Sequence, residues 1–440
     1  MINGLHRAMN TSINLLKWPR RIIKPIHLVG LIMLAALWGL RHWNPPPLQM
    51  LQLKTFDFYQ NLQPREPKDL HPQLQSVMPK QPVVVIDVDE KSLKKYGQWP
   101  WPRTLIGKLV DGLREYRVAV VGFDVFFPEY DRMSPALLVE NLQGLDASLA
   151  EQLKALPTTE SVFADSIRNM NVVLGQGTLP ETANLEGDLP VKAKIALVGN
   201  RDKLLARIPR FPGILRNVPE LESAAKGLGM VALEAEIDGV VRRVNMALRV
   251  DEQVYPTMTL EIIRLALGQE NILFRLDQKA QTQSIRIRGL KQIGTPEIPT
   301  DERYRTWLHF RPHDPENMYI SASDVLERNV DPKRLQNALA LVGTSALGLK
   351  DIRQTPLNSA LPGVEVHAQL LEMMLTNSFL DRPPWVQNAE VFAVVLVGII
   401  MIILVPLLGA TYTLLFAILL IGGMIAFSWY AYTDLKILVD

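Results

Sequence analysis

The chain has 440 residues, of which 21% are charged, with a formal net charge of +2 and no cysteine. Its length allows more than one domain, and its balanced charge argues against a general nucleic-acid binder, which usually has a strong basic excess. The lack of cysteine excludes disulfide bonds and metal sites built on thiolates. The apolar residues are concentrated near the two ends of the chain, and this pattern indicates a membrane protein.

A basic tail and an apolar run begin the chain. Residues 1–24 include lysines and arginines but no acidic residue. Residues 25–40 are uncharged, and Arg41 follows them. The run is just under the usual spanning length, which Lys24 and Arg41 can extend by reaching the interface. The basic flank places the tail in the cytoplasm. We predict a transmembrane helix over residues 25–41 rather than a cleaved signal peptide, because Gly39-Leu40-Arg41 is a poor cleavage site.

Two short β-branched runs, residues 83–86 and 118–123, are typical of strands buried on both faces of a parallel sheet. Between them Pro102 suits the first turn of a helix, and apolar residues then recur at helical spacing. Strand, helix and strand in this order predict a right-handed βαβ unit.

Acidic residues follow both predicted strands. Asp87 and Asp89 end the first strand and Asp124 ends the second, at the edge where open α/β sheets bind ligands. These carboxylates could chelate a hard divalent cation. The favoured alternative is structural, with Asp89 capping a helix over residues 90–96 and with Asp87 and Asp124 paired to arginines. No metal ligand is therefore assigned.

The segment between these strands contains Trp99, Trp101 and Arg103, separated by prolines. Two rigidly held indoles beside a cation could stack a planar ligand or hold a cation. They could equally be a plug of the core, with Arg103 bound to Asp124. We favour the plug.

The remaining elements are predicted from apolar periodicity and turn signals. The sequence predicts a helical region over 133–171 broken at Pro157, a surface loop at 180–190, helices at 255–267 and 364–376, and strands at 172–175, 284–288, 306–310 and 338–342.

Residues 231–248 read as a β-hairpin around the turn dipeptide Asp238-Gly239. Arg242 falls on the apolar face of this hairpin, so it needs a carboxylate partner. Asp87, Asp89 or Asp124 is the expected partner. Glu234 is expected opposite Arg243 as an exposed cross-strand pair.

Residues 343–351 resemble a phosphate-binding loop only superficially, because Gly-Leu-Lys-Asp stands where Gly-Lys-Ser/Thr is required. A turn in which Asp351 supplies a carboxylate is favoured. His367 has Glu365 nearby but no second histidine at metal spacing. A triad of Ser345, His367 and Asp351 lacks a nucleophile elbow, so no catalytic residue is assigned.

The C-terminal apolar region, residues 391–433, is uncharged. It is long enough for two passes through a hydrocarbon core about 30 Å thick. Pro406 and Gly409 mark the turn. The prediction is two transmembrane helices and a short extracytoplasmic end, at residues 387–407, 410–432 and 433–440. Three membrane passes that start from a cytoplasmic N-terminus leave Asp440 outside the cytoplasm. A cytoplasmic output domain attached after Asp440 would therefore require a third C-terminal helix.

Several blocks together resemble the type-2 CHASE domain, an extracytoplasmic sensor family of bacterial receptors. They lie between Asp57 and Pro384 and read VVVIDVDEKSL, GQWPWPR, VVGFDVFF, DGVVRR, LVGTSALGLKD, TPL and PGVEVHAQLLEMML. In that family the sensor is joined to an adenylate or guanylate cyclase, a histidine kinase or a serine/threonine kinase. This sequence departs from the pattern at its end, so the resemblance implies a truncated receptor or an isolated sensor, without an enzyme activity of its own.

The predicted fold is an α/β extracytoplasmic domain, residues 42–386, with a mostly parallel or mixed sheet and transmembrane helices. The predicted function is a receptor module in the bacterial cytoplasmic (inner) membrane, with no cofactor and no nucleic-acid partner. Its expected partners are the membrane and an unknown small-molecule or envelope ligand, and a homodimer is left open. An envelope enzyme that uses the acidic cluster and a non-signalling scaffold are the alternatives. The polar cluster for ligand binding or structure comprises Asp87, Asp89, Trp99, Trp101, Arg103, Asp124, Arg242, Asp351 and His367.

Overall fold

The computed structural model of the protein describes residues 25–142, 144–179, 191–277, 283–346, 349 and 351–439. The loop predicted at residues 180–190 lies outside the described residues. The chain divides into two compact units. The membrane unit contains residues up to Lys54, Pro384–Leu435 and Val439, and the domain unit contains Thr55–Pro383 and Lys436–Leu438.

The strands are numbered here in chain order. They are β1 (Val83–Asp87), β2 (Val120–Phe123), β3 (Val172–Leu179), β4 (Lys194–Val198), β5 (Gly213–Leu215), β6 (Gly227–Met230), β7 (Arg243–Asn245), β8 (Ala247–Val250), β9 (Gln253–Pro256), β10 (Asn271–Leu276), β11 (Gln283–Arg286), β12 (Ile298–Thr300), β13 (Arg305–Trp307), β14 (Tyr319–Ser321), β15 (Leu339–Gly343), β16 (Ile352–Arg353) and β17 (Leu361–Pro362).

The helices are numbered in the same way. They are α1 (Pro25–Trp43), α2 (Pro46–Leu62), α3 (Pro72–Gln75), α4 (Glu90–Tyr96), α5 (Arg103–Glu115), α6 (Pro135–Asn141), α7 (Ala147–Lys154), α8 (Thr159–Arg168), α9 (Arg201–Arg207), α10 (Pro219–Ala224), α11 (Met258–Ala266), α12 (Pro315–Met318), α13 (Ala322–Leu326), α14 (Pro332–Leu335), α15 (Gly363–Thr376), α16 (Pro384–Gly409) and α17 (Thr411–Leu435).

A central sheet organises the domain unit. Its parallel strands lie in the order β14-β1-β15-β2-β3-β6, and β5 pairs antiparallel with the end of β3. A second sheet has the order β12-β11-β10-β4 and is mixed, since only β4 and β10 run parallel. The predicted α/β fold with a mostly parallel or mixed sheet is therefore confirmed.

Helices cover both faces of the central sheet. Successive side chains of a strand point to opposite faces, so Val84 and Ile86 of β1 face one core and Val83 and Val85 face the other. The first core contains side chains of α5 and α8, and the second contains side chains of α11 and α15. Burial on both faces explains why β1 and β2 are continuous apolar runs in the sequence.

The predicted hairpin at residues 231–248 is wrong, although its turn is present. Gly239 has a φ of 80°, and the amide of Glu236 donates to the carbonyl of Val240 at 2.9 Å. The arm after the turn pairs elsewhere, because Val241 donates to the carbonyl of Gln354 and β7 pairs with β13, and residues 231–236 before the turn form no strand. Arg243 consequently binds Glu236 and Asp301 rather than facing Glu234.

In the part of the chain that the structure describes, three helices are long and apolar enough to cross a membrane: α1, α16 and α17. They lie in the membrane unit, where the backbone kinks at Gly409 between α16 and α17. Helices α1 and α16 pack closely at glycines. A Cβ built on Gly30 would lie 3.6 Å from the Cβ of Ile402, and one built on Gly398 would overlap Leu34. Nearer the other end of α1, Arg41 binds Glu390 at 2.5 Å, so the two helices are antiparallel.

Candidate functional site

At the carboxyl ends of the central strands, neighbouring connections leave toward opposite faces of the sheet. The chain leaves β1 for α4, and after β2 it passes through α6 and α7 to α8; both α4 and α8 pack on the first core. Between these strands lies β15, whose chain continues to α15 on the second core. Such a reversal is where open α/β sheets bind ligands. We refer to Asp87, Asp124, Ser345, Asp351 and His367 as the carboxyl-edge crevice.

Asp87 and Asp89 have structural hydrogen-bond donors. The Asp87 carboxylate accepts bonds from the amide of Ser345 at 2.8 Å and from its hydroxyl at 2.5 Å. Asp89 accepts bonds from the amide of Ser92, which caps α4, and from the hydroxyl of Ser321. The predicted capping role of Asp89 is confirmed. The predicted arginine partner of Asp87 is wrong, because Ser345 follows the adjacent strand β15 and is closer.

Burial raises the pKa of Asp87 to about 6. The hydrogen bonds from Ser345 oppose this effect, and the negative charge of Asp89 adds to it. Within the described residues, no group of three or more histidine, aspartate or glutamate side chains is placed to hold a metal ion. The divalent-cation alternative therefore has no structural support among those residues.

Asp124 differs from its neighbours, because its half-buried carboxylate has no hydrogen bond or ion pair with any described residue. The pKa of Asp124 is raised to about 7, mainly by burial and also by the negative charge of Asp351, while the positive charge of Arg353 opposes both effects. Arg353 instead binds Asp351 directly, at 2.7 Å from Nη2 to Oδ1. The predicted ion pair between Asp124 and an arginine is therefore wrong among the described residues. Arg353 acts on Asp124 only through its charge, without direct contact.

His367 lies on α15 and its side chain is completely buried. Its Nε2 lies 3.3 Å from the carbonyl of Val231, and Nδ1 has no partner in the described part of the chain. Burial lowers the pKa of His367 to about 4, so the ring is neutral at physiological pH. One turn earlier, Gly363 faces the carboxylate of Asp351, which leaves no room for a Cβ there. Residues four apart share a helix face, so His367 and Gly363 are turned to the same side as Asp351.

The tryptophan segment lies in the first core, where Trp101 is 1% exposed and Trp99 is half-buried. The Trp101 indole donates to the carbonyl of Gly97 at 3.0 Å and packs edge-on against Trp99. Trp101 is therefore a core plug, as favoured from the sequence. The predicted contact of Arg103 with Asp124 is wrong. Arg103 begins α5, and its guanidinium instead covers the ring of Phe127 at 4.6 Å.

Arg242 is fully buried and has two bidentate partners outside the carboxyl-edge crevice. Its guanidinium donates to both oxygens of Asp57 at 2.6 Å and to both oxygens of Asp238 at 2.8 Å. Burial alone would lower the pKa of Arg242, but the hydrogen bonds and charges of Asp238 and Asp57 raise it above its ordinary value. A carboxylate partner was correctly expected. Asp87, Asp89 and Asp124 were the wrong ones, because the hairpin that would have brought Arg242 to them does not form.

These contacts connect the carboxyl-edge crevice to helix α2. Immediately after Arg353, Gln354 bridges to Val240 and accepts the amide of Val241. Arg242 follows and binds Asp57 on α2. In addition, Asn61 of α2 donates to the carbonyl of Pro356 at 3.0 Å. We call the set of Asp57, Asp238, Arg242 and Gln354 the tether.

Sequence reasoning missed two parts of this arrangement. The sequence signal for the tether is Asp57, because it is the first acidic residue of the chain. A cluster of polar side chains around the buried carboxylate of Glu365 was also missed. In this cluster Glu365 accepts a hydrogen bond from the hydroxyl of Tyr319 at 2.7 Å and lies 2.6 Å from Nδ1 of His313. No local pattern around His313 distinguishes it from a surface histidine.

Comparison with known proteins gives one family. The sequence profile of the CHASE2 domain matches residues 31–408, from within α1 to the end of α16. The search of curated proteins and the search of solved structures gave no match.

Proposed function

The chain belongs to the CHASE2 domain family, whose members are extracellular sensory domains, and we propose that it is a membrane-anchored sensory module. The module detects an extracytoplasmic stimulus in its domain unit and passes the signal through its membrane helices. The signal goes to a cyclase or kinase output. The site of action is the bacterial cytoplasmic membrane.

The observation that carries the proposal is the tether. Helix α2 belongs to the membrane unit through Lys54 and to the domain unit from Thr55. Arg242 binds Asp57 in the domain part of α2. Two residues before Arg242, Val240 forms a β-bridge with Gln354, which directly follows Arg353. A rearrangement around Asp351 therefore has a continuous path, made of ion pairs, one backbone hydrogen bond and short stretches of peptide chain, through which to move α2. A signal transmitted in this way requires two arrangements that the stimulus stabilises to different extents.

The topology we propose places residues 1–24 in the cytoplasm and the domain outside, with α16 and α17 crossing inward and outward. Support for the second crossing comes from the residues after α17. Leu438 donates to the carbonyl of Asp381 at 2.9 Å, and Asp381 donates to the carbonyl of Lys436 at 2.9 Å. These three residues belong to the domain unit, so the chain returns to the domain after α17.

Single-cysteine labelling tests this topology, because the natural chain has no cysteine. We expect a membrane-impermeant maleimide to label Gln73→Cys and Leu435→Cys in intact spheroplasts. Leu408→Cys should be labelled only after the membrane is opened. Labelling of Leu408→Cys and Leu435→Cys on the same side would contradict the proposal.

A disulfide between α1 and α16 tests the sensory role. The Cβ separation of 3.6 Å between positions 30 and 402 falls in the range of disulfides. We expect the oxidation rate of the Gly30→Cys/Ile402→Cys protein to change when low-molecular-weight growth medium components are added. The Arg242→Met background should abolish this response. Substrate turnover without any change of this rate would instead favour an envelope enzyme.

A further inference from the structure

We propose that the carboxyl-edge crevice binds a small molecule through a primary ammonium group, which Asp124, Asp351 and Nδ1 of His367 accept. This inference rests on the sensory function proposed above and names the chemical class of its stimulus.

The internal hydrogen bonds distinguish Asp124 from the other acids at this edge of the sheet. Asp87 is bound by Ser345, Asp89 caps α4, and Glu365 accepts from Tyr319 and Gln369. These carboxylates have their donors. Asp124 has no donor among the described residues and lies near the charge of Asp351, so a positive group between the two would stabilise both ionised carboxylates.

His367 provides the second and independent observation. Because its buried Nε2 faces the carbonyl of Val231, the ring is the tautomer in which Nε2 carries the proton and Nδ1 is an acceptor. Nδ1 is buried and has no donor in the described ranges, which costs free energy unless a ligand supplies one. The low pKa of His367 keeps this acceptor unprotonated.

The chemistry of the three groups selects the ligand. All three accept hydrogen bonds, and an ammonium group has three donors and a compensating charge. A carboxylate or phosphate ligand would face two like charges. Arg353 adds a secondary preference, because its buried Nε has no partner among the described residues and can donate to an oxygen of the same ligand.

Three four-carbon probes separate these features: n-butylamine, 4-aminobutyrate and butyrate. We expect calorimetry on the full chain in nanodiscs at pH 7 to detect n-butylamine and 4-aminobutyrate but not butyrate. Because a cation displaces the proton of Asp124, binding should release protons, and the measured heat should depend on the buffer. Asp124→Asn should weaken amine binding at least tenfold and abolish proton release. Asp69→Asn, at an exposed acid with no ion pair to another described residue, should change neither.

Equal binding of butyrate, unchanged amine affinity in Asp124→Asn, or no binding of either amine would overturn the proposal. His367→Gln keeps a hydrogen-bonding side chain and should weaken amine binding without abolishing proton release. The disulfide assay distinguishes a failure of the ammonium proposal from a failure of the proposed sensory function. A disulfide rate that responds to medium components while the amines do not bind would leave the sensory module intact and reject only the ammonium class.

Discussion

Removing the charge of Arg242 should destabilise the domain unit strongly. The Arg242 side chain is 0% exposed, and its partners Asp57 and Asp238 are 14% and 9% exposed. Arg242→Met removes four charge-assisted hydrogen bonds and leaves two facing carboxylates without a cation. Breaking a buried ion pair in this way typically costs about 3–5 kcal/mol. At 1.4 kcal/mol for each factor of ten, the unfolding equilibrium should shift by roughly a hundredfold or more.

The assay is urea unfolding of the full chain in detergent micelles, followed by tryptophan fluorescence. Trp101 is buried in the domain unit and reports its unfolding. Arg114→Met is the matched control, because Arg114 pairs with Asp111 on the surface, where the side chains are 42% and 33% exposed. We expect a loss below about 1 kcal/mol for the control.

The triple variant Arg242→Met/Asp57→Asn/Asp238→Asn isolates the cause. If the loss arises from unpaired carboxylates, neutralising both should recover most of the stability, as is common when a buried ion pair is replaced as a whole. A cost of less than 1 kcal/mol for Arg242→Met would refute the reasoning. So would a triple variant no more stable than the single one.

Three further predictions concern single positions. The pKa of Asp124 is raised from 3.8 to about 7, so the folded state binds more protons than the unfolded state between these values, and stability should fall as pH rises from about 4 to about 7. The change in the free energy of unfolding caused by Asp124→Asn should therefore be more favourable at pH 8 than at pH 4, by roughly 1–3 kcal/mol. Thermal unfolding at the two pH values measures this difference, and an equal effect at both would contradict the prediction. Gly398→Leu should overlap Leu34 and slow disulfide formation between positions 30 and 402 several-fold, whereas Gly422→Leu, with open space around it, should not. Asp89→Ala removes the cap of α4 and should cost about 1 kcal/mol in urea unfolding, while unchanged stability would show that the cap is unimportant.

The elements that sequence reasoning predicted correctly depend on local signals. β1, β2 and β15 are apolar runs buried on both faces, and α15 begins at a proline–glycine pair, so each is recognisable within a few residues. The cap of Asp89 is equally local, since its donor Ser92 is three residues away.

The partners of buried charges were not predictable in this way. Asp57 is 185 residues from Arg242, and Ser345 is 258 residues from Asp87. Which distant group reaches a buried charge depends on strand order and on the crossovers, and neither follows from local periodicity. The false hairpin shows the same limit, because a strong Asp-Gly turn fixes the turn but not the strands that its arms pair with.

The rate of disulfide formation in Gly30→Cys/Ile402→Cys, with and without Asp57→Asn, tests the central claim most directly. Both cysteines lie in the membrane unit, and Asp57 lies in the domain unit. If the tether couples the domain to the membrane helices, Asp57→Asn should change the oxidation rate in native membranes by at least threefold. Asp69→Asn, an exposed acid in the same unit, should leave it unchanged. Identical rates in the parent protein, Asp57→Asn and Asp69→Asn would contradict transmission through the tether.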